Sequence, residues 1–262
     1  TEAGVEALYF IRTDSTDLTY LLFADQWDLD RLNGSLNASL RQRYGYGNSR
    51  GDVLLEMRNS APGSASGYGQ VRLTAINTNS VGKMQLRTRF LGQYGTGATP
   101  RESALYLAGA SPEEMMENKY VRSVGMVPYD WLGYGADVQH FQYGGGLGLR
   151  GYAGYLAPEM DADGNLLFTH RGNTGVSVSG ELDLDGLVRF RPGNLARVLH
   201  MDAYLFGDVG TMGYRSLSNG SLVFAEPRAD AGAGFALTIK SWGPLTDIKP
   251  LTIRFDMPLF TS

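Results

Sequence analysis

The feature that most constrains this chain is a period-two alternation of apolar and polar residues, repeated in segments of about ten residues between turn clusters. In 83–90, Met84, Leu86, Thr88 and Phe90 fall on one side, and Lys83, Gln85, Arg87 and Arg89 on the other. Successive side chains of a strand point to opposite faces of its sheet, so such a segment makes a strand with one oily and one wet face. The same holds for 35–43 (Leu36, Ala38 and Leu40 against Asn37, Ser39, Arg41 and Arg43) and for 70–75 (Val71, Leu73 and Ala75 against Gln70, Arg72 and Thr74). After a long interruption it resumes at 175–184, where Val176, Val178, Leu182 and Leu184 oppose Ser177, Ser179, Glu181 and Asp183. At 201–209, Ala203, Leu205 and Val209 oppose Asp202, Tyr204 and Asp208; at 251–257, Leu251, Ile253, Phe255 and Met257 oppose Thr252, Arg254 and Asp256. A Gly- and Ala-rich segment at 228–239 and weaker ones near 5–12, 19–28 and 53–59 bring the expectation to about ten strands. Leu54 and Leu91 break the alternation, and helical periodicity is nearly absent. The fold class is all-β.

Alternation alone does not say which face is inside. In a sandwich the oily face packs inward; in a membrane barrel it meets lipid and the polar face lines the lumen. Two features favour the barrel. The polar faces are rich in Arg, as suits a wet lumen, and many strands end in aromatic residues (Trp27, Tyr44, Tyr46, Tyr94, Tyr214, Trp242), as interfacial girdles do. Aromatic residues also favour strands in any sheet, so the girdle reading competes with plain propensity. Charged residues make up only 19% of the 262, and 35 are Gly, a composition unusual for a soluble α/β enzyme. No stretch reaches the roughly 18 apolar residues of a spanning helix, so residence in a membrane would rest on strands. The formal charge of −4, with basic residues dispersed, offers no footprint for nucleic acid. The absence of Cys removes disulfide and thiolate chemistry.

The connections differ in length. Asn77-Thr78-Asn79-Ser80 is expected to be a compact turn, whereas 95–172 is one long excursion. Long loops are usually functional or disordered, and one carrying Tyr106, Tyr120, Tyr129, Trp131, Tyr134, Phe141, Tyr143, Tyr152 and Tyr155 is too aromatic for a solvated linker.

Within it stands Gly144-Gly145-Gly146-Leu147-Gly148-Leu149-Arg150-Gly151-Tyr152. This run resembles the Gly-rich (Val/Leu)-Arg-Gly-(Phe/Tyr) signature in the sixth extracellular loop of the BamA-type outer-membrane assembly and translocation superfamily. Ser177-Val178-Ser179-Gly180-Glu181 and Phe206-Gly207-Asp208-Val209-Gly210 are similar to the family's next two strand motifs, in order. Ala231-Gly232-Ala233-Gly234-Phe235-Ala236-Leu237 and Gly243-Pro244-Leu245 resemble its Gly-rich strand and the turn after it. The resemblance covers roughly 80–262. It implies an antiparallel transmembrane β-barrel in the bacterial outer membrane, about sixteen strands when complete, with the long extracellular loop folded into the lumen.

The implied function is assistance to polypeptides inserting into or crossing that membrane, with lipid, client polypeptides and periplasmic or surface domains as partners and no cofactor. The chain departs from the pattern at its end, Leu259-Phe260-Thr261-Ser262, where a final strand with a terminal aromatic residue is expected. Its start, Thr1-Glu2-Ala3-Gly4-Val5, lacks the features of a signal peptide, so 1–262 is expected to be one barrel domain incomplete at both ends. Residues 105–155, with Leu105-Tyr106-Leu107-Ala108-Gly109-Ala110-Ser111-Pro112 and Gly125-Met126-Val127-Pro128, look similar to barrels fused behind zinc aminopeptidase-like domains in Bacteroidetes. That likeness implies the alternative of a passive anchor, or plugged pore, for a soluble domain such as a surface peptidase.

The resemblance also implies a lumen lock in which Arg150 pairs with Glu181 and Asp208, residues that the alternation independently places on wet faces. A guanidinium suits this role because it stays charged and donates a planar fork to carboxylates. Gly148 and Gly151 let the backbone turn and approach the wall, Leu149 belongs to the same motif, and Tyr152 offers an apolar body with a polar tip. No catalytic constellation competes. His140, His170 and His200 are dispersed, and no His-Glu-x-x-His motif exists. Asp161-Ala162-Asp163-Gly164-Asn165 begins like a calcium loop but has Gly172 where the closing Glu belongs, so no metal is expected. The 144–151 run lacks the Lys-Ser/Thr ending of a phosphate loop.

Overall fold

A computed structural model describes residues 1–13, 27–116, 144–152, 158–160, 166–168, 171–185, 187, 193–215, 220–241 and 250–262. In chain order the elements are β1 (Glu2–Ile11), β2 (Leu32–Tyr46), β3 (Ser49–Ser60), β4 (Tyr68–Val81), β5 (Met84–Gly97), β6 (Leu105–Tyr106), helix α1 (Pro112–Met116), β7 (Pro158–Met160), β8 (Leu166–Phe168), β9 (Arg171–Gly172), β10 (Thr174–Asp183), β11 (Leu199–Arg215), β12 (Leu222–Phe224), β13 (Arg228–Ile239) and β14 (Leu251–Thr261). The long strands form one antiparallel sheet in the order β1-β2-β3-β4-β5-β10-β11-β13-β14, with the short β12 added beside β11. Each long strand pairs with the next, so the chain runs as an up-and-down meander. β5 and β10 pair directly, Gly175 opposite Gln93 through Asp183 opposite Gln85, and the long excursion leaves and rejoins the sheet between adjacent strands. The wall is an open barrel, since β1 and β14 are not paired with each other.

The oily face is the outer one. Leu36, Leu40, Met57, Val71, Phe90, Val178, Leu205, Phe235 and Phe255 from successive strands are all exposed, and Phe235 stacks on Phe255 with ring centroids 4.9 Å apart. The polar face receives the described parts of the excursion, 101–116 and 144–152. A single strand register decides this everywhere at once, because a one-residue slip would exchange the two faces.

The principal apolar cluster lies inside the wall. Leu105, Leu107, Leu147, Leu149 and Tyr152 of the excursion pack against Leu91 of β5 and Met212 of β11. Leu91 breaks its strand's alternation because an apolar plug, not water, covers that part of the wet face. Within the plug, Leu147 N–H donates to the Tyr106 carbonyl at 2.9 Å and Leu149 N–H to the Leu107 carbonyl at 3.1 Å, while β6 pairs with β9. The plug is thus a small ordered layer with its own backbone ladder.

Three local expectations change. Asn77-Thr78-Asn79-Ser80 is not a turn: it lies within β4, and the hairpin closes at Gly82-Lys83, so Lys83 is outside β5. Gly82, with φ 63°, takes the left-handed conformation that this two-residue connection requires, and turn-like composition in 77–80 yields to continuous pairing with β5. Trp27 is not a girdle residue; it is buried, edge-on to Phe10 at 6.1 Å. Of the strand expected at 19–28, residues 19–26 lie outside the described residues, and Trp27 and Asp28 are not in a strand. Trp242 and Gly243-Pro244-Leu245 also lie outside them.

Candidate functional site

The excursion meets the wall most closely at Arg150, which begins a single 3-10 turn, Arg150–Tyr152. The Arg150 guanidinium addresses Asp208 of β11 as a fork: Nε donates to Oδ2 at 2.8 Å and Nη2 to Oδ1 at 2.9 Å. The backbone N–H of Arg150 adds a longer bond to Oδ2 at 3.3 Å. Nη1 donates to Glu181 Oε2 on β10 at 3.2 Å and stands 3.6 Å from Asp256 Oδ1 on β14. The flat face of the cation rests on the Phe206 ring, 4.0 Å from its centroid, which adds cation–π attraction in a site shielded from water. Asp208 has 0% of its side chain exposed and Arg150 13%. Burial opposes the charge on Arg150, but the Asp208 bonds and field, with the fields of Asp256 and Glu181, hold its pKa above the ordinary value.

Strand register makes this geometry. Asp208 lies opposite Ser179 and Glu181 opposite Phe206, so the two carboxylates sit two residues apart along the paired strands on the same inner face. Behind them, Arg254 donates from Nη2 to Glu181 Oε2 at 2.7 Å and from Nε to the Tyr204 oxygen at 3.2 Å, and the Tyr204 hydroxyl donates to Asp256 Oδ1 at 2.7 Å. Three strands, β10, β11 and β14, therefore converge on one cation. Arg254 and Asp256 were legible only as wet-face residues of their strand. Asp230, 2% exposed and directly opposite Asp208, had no signal beyond being a lone acid in a Gly- and Ala-rich run.

The remaining motif residues each have a physical role. Gly148 has φ 77°, which a side chain rarely adopts, and a Cβ there would stand 2.9 Å from Arg89 Nη1. Gly151 is needed for close approach: a Cβ would lie 2.7 Å from Asp230 Cβ and 2.8 Å from Thr261 Cγ2. Leu149 is fully buried in the apolar cluster. The Tyr152 ring packs in the same cluster, the Arg228 guanidinium lies 5.4 Å from its centroid, and its hydroxyl donates to the Ser262 carbonyl beside β14. Upstream of Arg150, the Leu147 carbonyl accepts from Ser177 Oγ at 2.7 Å and Arg89 Nη1 at 3.1 Å, and the Gly146 carbonyl accepts from Arg89 Nη2 at 2.6 Å. Toward the hairpin ends, a chamber of about 540 Å³ is lined by groups of both signs, among them Arg43, Arg50, Arg87, Asp52, Glu181 and Asp183.

His200 is less isolated than its sequence neighbours suggest. Its Nε2 is 2.7 Å from Asp202 Oδ1, and Asp185, His200 and Asp202 place one ligand atom each within 4.8 Å of one another, a set able to hold a cation. Tertiary pairing of β10 with β11 brings Asp185 there, and no local spacing motif announces it. His140, His170 and 161–165 lie outside the described residues.

No protein-family model matches the chain, and no curated protein matches it. Among solved structures it is similar to BamA from Haemophilus ducreyi lacking POTRA domains 1–3, at 18% identity and a TM-score of 0.41, over 87% of this chain. The chain spans 39% of that protein. No helix of the described residues is long and apolar enough to cross a membrane, which says nothing of a β-barrel.

Proposed function

We propose that this chain is the plugged part of a BamA-type barrel in the bacterial outer membrane, assisting insertion or translocation of polypeptides, with Arg150, Glu181 and Asp208 as the lock on its loop. The observation that carries the reading is the Arg150 fork on Asp208, reached from a loop tip whose motif resembles the family's. The outer apolar face and enclosed polar face support a lipid setting, because lipid-facing and lumen-facing residues alternate in such barrels. In this reading the loop faces the cell exterior, the partners are lipid and client polypeptides, and the barrel performs no covalent chemistry.

The test is insertion of a client barrel into lipid vesicles carrying the full-length protein. Arg150→Ala should slow insertion while leaving the protein's own membrane integration intact. Full activity together with unchanged heat-modifiable migration would remove the lock from the mechanism. A second reading, a permanently plugged anchor for a soluble domain, is favoured by the number of bonds that hold the loop. Repeated small periplasmic domains before Thr1 in the full-length gene would favour assembly, and a His-Glu-x-x-His domain would favour the anchor.

A further inference from the structure

The loop also meets β3 and β4, on the other flank of β5 from the strands that hold Arg150, and there the charges are reversed. Glu113 and Glu114 open α1, and Arg58 of β3 and Arg72 of β4 reach in to meet them. Arg58 Nη1 is 2.8 Å from Glu113 Oε1, with 14% and 9% of the two side chains exposed. Arg72 Nη1 is 2.7 Å from Glu114 Oε1. Ser103 Oγ donates to Glu113 Oε2 at 2.5 Å, and Asn33 Nδ2 of β2 donates to Glu102 Oε1 at 2.9 Å and to Ser103 Oγ at 2.8 Å. On the wall side, the Tyr68 hydroxyl donates to Asn33 Oδ1 at 3.1 Å, and Arg58 Nε donates to the Tyr68 oxygen at 3.0 Å.

The local sequence sets these acids in place. Ser111-Pro112-Glu113-Glu114 forms a capping box: Ser111 N–H donates to Glu114 Oε2 at 2.9 Å and Glu114 N–H to Ser111 Oγ at 3.2 Å, with Pro112 suited to the first helical position. One Glu114 oxygen therefore holds the turn while the other meets Arg72.

We propose that Arg58–Glu113, with Arg72–Glu114 beside it, is a second lock that holds the loop to β3 and β4, across β5 from the strands that hold Arg150. Arg58 and Glu113 act as positioning residues for the plug. Where the loop touches it, the wall offers Arg58, Arg72 and Arg89 from β3 to β5 and Glu181, Asp208 and Asp256 from β10 to β14, and the loop presents Glu113 and Glu114 to the first set and Arg150 to the second. The two halves are joined through the Leu147–Tyr106 and Leu149–Leu107 backbone bonds, so the loop behaves as one body held at two points. Full opening of the lumen therefore requires release of both locks. The proposal rests on the reading of the chain as a plugged membrane barrel.

Ion conductance of the full-length protein in planar bilayers tests it. Arg58→Ala and Glu113→Ala should each raise mean conductance several-fold over wild type. Adding Arg150→Ala should give the largest open level, and the swap Arg58→Glu with Glu113→Arg should return conductance toward wild type. Glu113→Gln, which keeps shape and removes charge, serves where truncation prevents folding as judged by heat-modifiable migration. If the Arg58 and Glu113 variants conduct as wild type, or the swap fails to restore closure, the second lock is overturned. If it is overturned while Arg150→Ala still conducts, the reading of Arg150 stands. Conducting Arg58 and Glu113 variants restored by the swap, with normal client insertion by Arg150→Ala, would instead keep the second lock and discard the assembly role.

Discussion

Replacing Arg150 by Ala should destabilise the loop's docked position by about 3–5 kcal/mol, the usual cost of removing one member of a buried ion cluster. The cost comes less from the lost bonds than from what they leave behind. Asp208 has no exposed side-chain area, so its carboxylate loses its counter-charge where water cannot replace it, beside the buried Asp230. Arg150→Lys separates charge from geometry. An ammonium retains the charge but cannot span both Asp208 oxygens and Glu181, so it should lose about 1.5–3 kcal/mol, the worth of about one charged hydrogen bond.

The assay is reversible urea unfolding in lipid vesicles, with hydrogen exchange at the Leu147 and Leu149 amides reporting local release. Adding Asp208→Asn to Arg150→Ala removes the orphan charge, and the pair should be more stable than the sum of the single changes predicts, by about 0.5–3 kcal/mol. An Arg150→Ala cost below about 1 kcal/mol with no coupling to Asp208 would refute the reasoning, since exposed ion pairs contribute no more than that.

Three further outcomes are expected. Leu91→Ala should cost about 2–5 kcal/mol in the same unfolding assay, because it opens a cavity in the apolar cluster under the loop. Val178→Arg should cost about 2–4 kcal/mol of barrel stability in lipid if it lies near the bilayer midplane, whereas Ser179→Gln on the enclosed face should be milder; equal effects would contradict the assignment of faces. Burial pushes the Glu102 carboxyl above its usual range, so its contribution to stability is fully present below about pH 4.3 and lost as pH rises through its folded pKa. Thermal unfolding of wild type and Glu102→Gln at pH 4 and pH 7.5 should show this loss in wild type alone.

Strand by strand, much of the wall was legible because alternation is a local record of a sheet's two environments. Glu181 and Asp208 could be assigned to wet faces from their neighbours in sequence, and the motif around Arg150 pointed to them through a resemblance. The failures have physical causes. Asn77-Thr78-Asn79-Ser80 reads as a turn by composition, but a local preference worth tenths of a kcal/mol per residue gives way to a full antiparallel ladder with β5. Arg58 and Glu113 carried no signal, because an arginine on a wet strand face and a glutamate beginning a short helix are individually ordinary. Asp230 and Asp256 join the Arg150 cluster only because β13 and β14 fold alongside β11.

What the sequence by itself determined is the all-β class, the two faces of each strand, and the loop motif with its Arg150. Each depends on residues within a few positions of one another. Only the tertiary structure decided that the polar face receives the loop's described parts, that Leu91 is covered, and that the loop is held at two places by ion pairs of opposite sense. Arg150 meets Glu181 31 positions away and Asp208 58 away, and Arg72 meets Glu114 42 away; pairing over such distances is set by how the strands stack and curve, which no local pattern encodes.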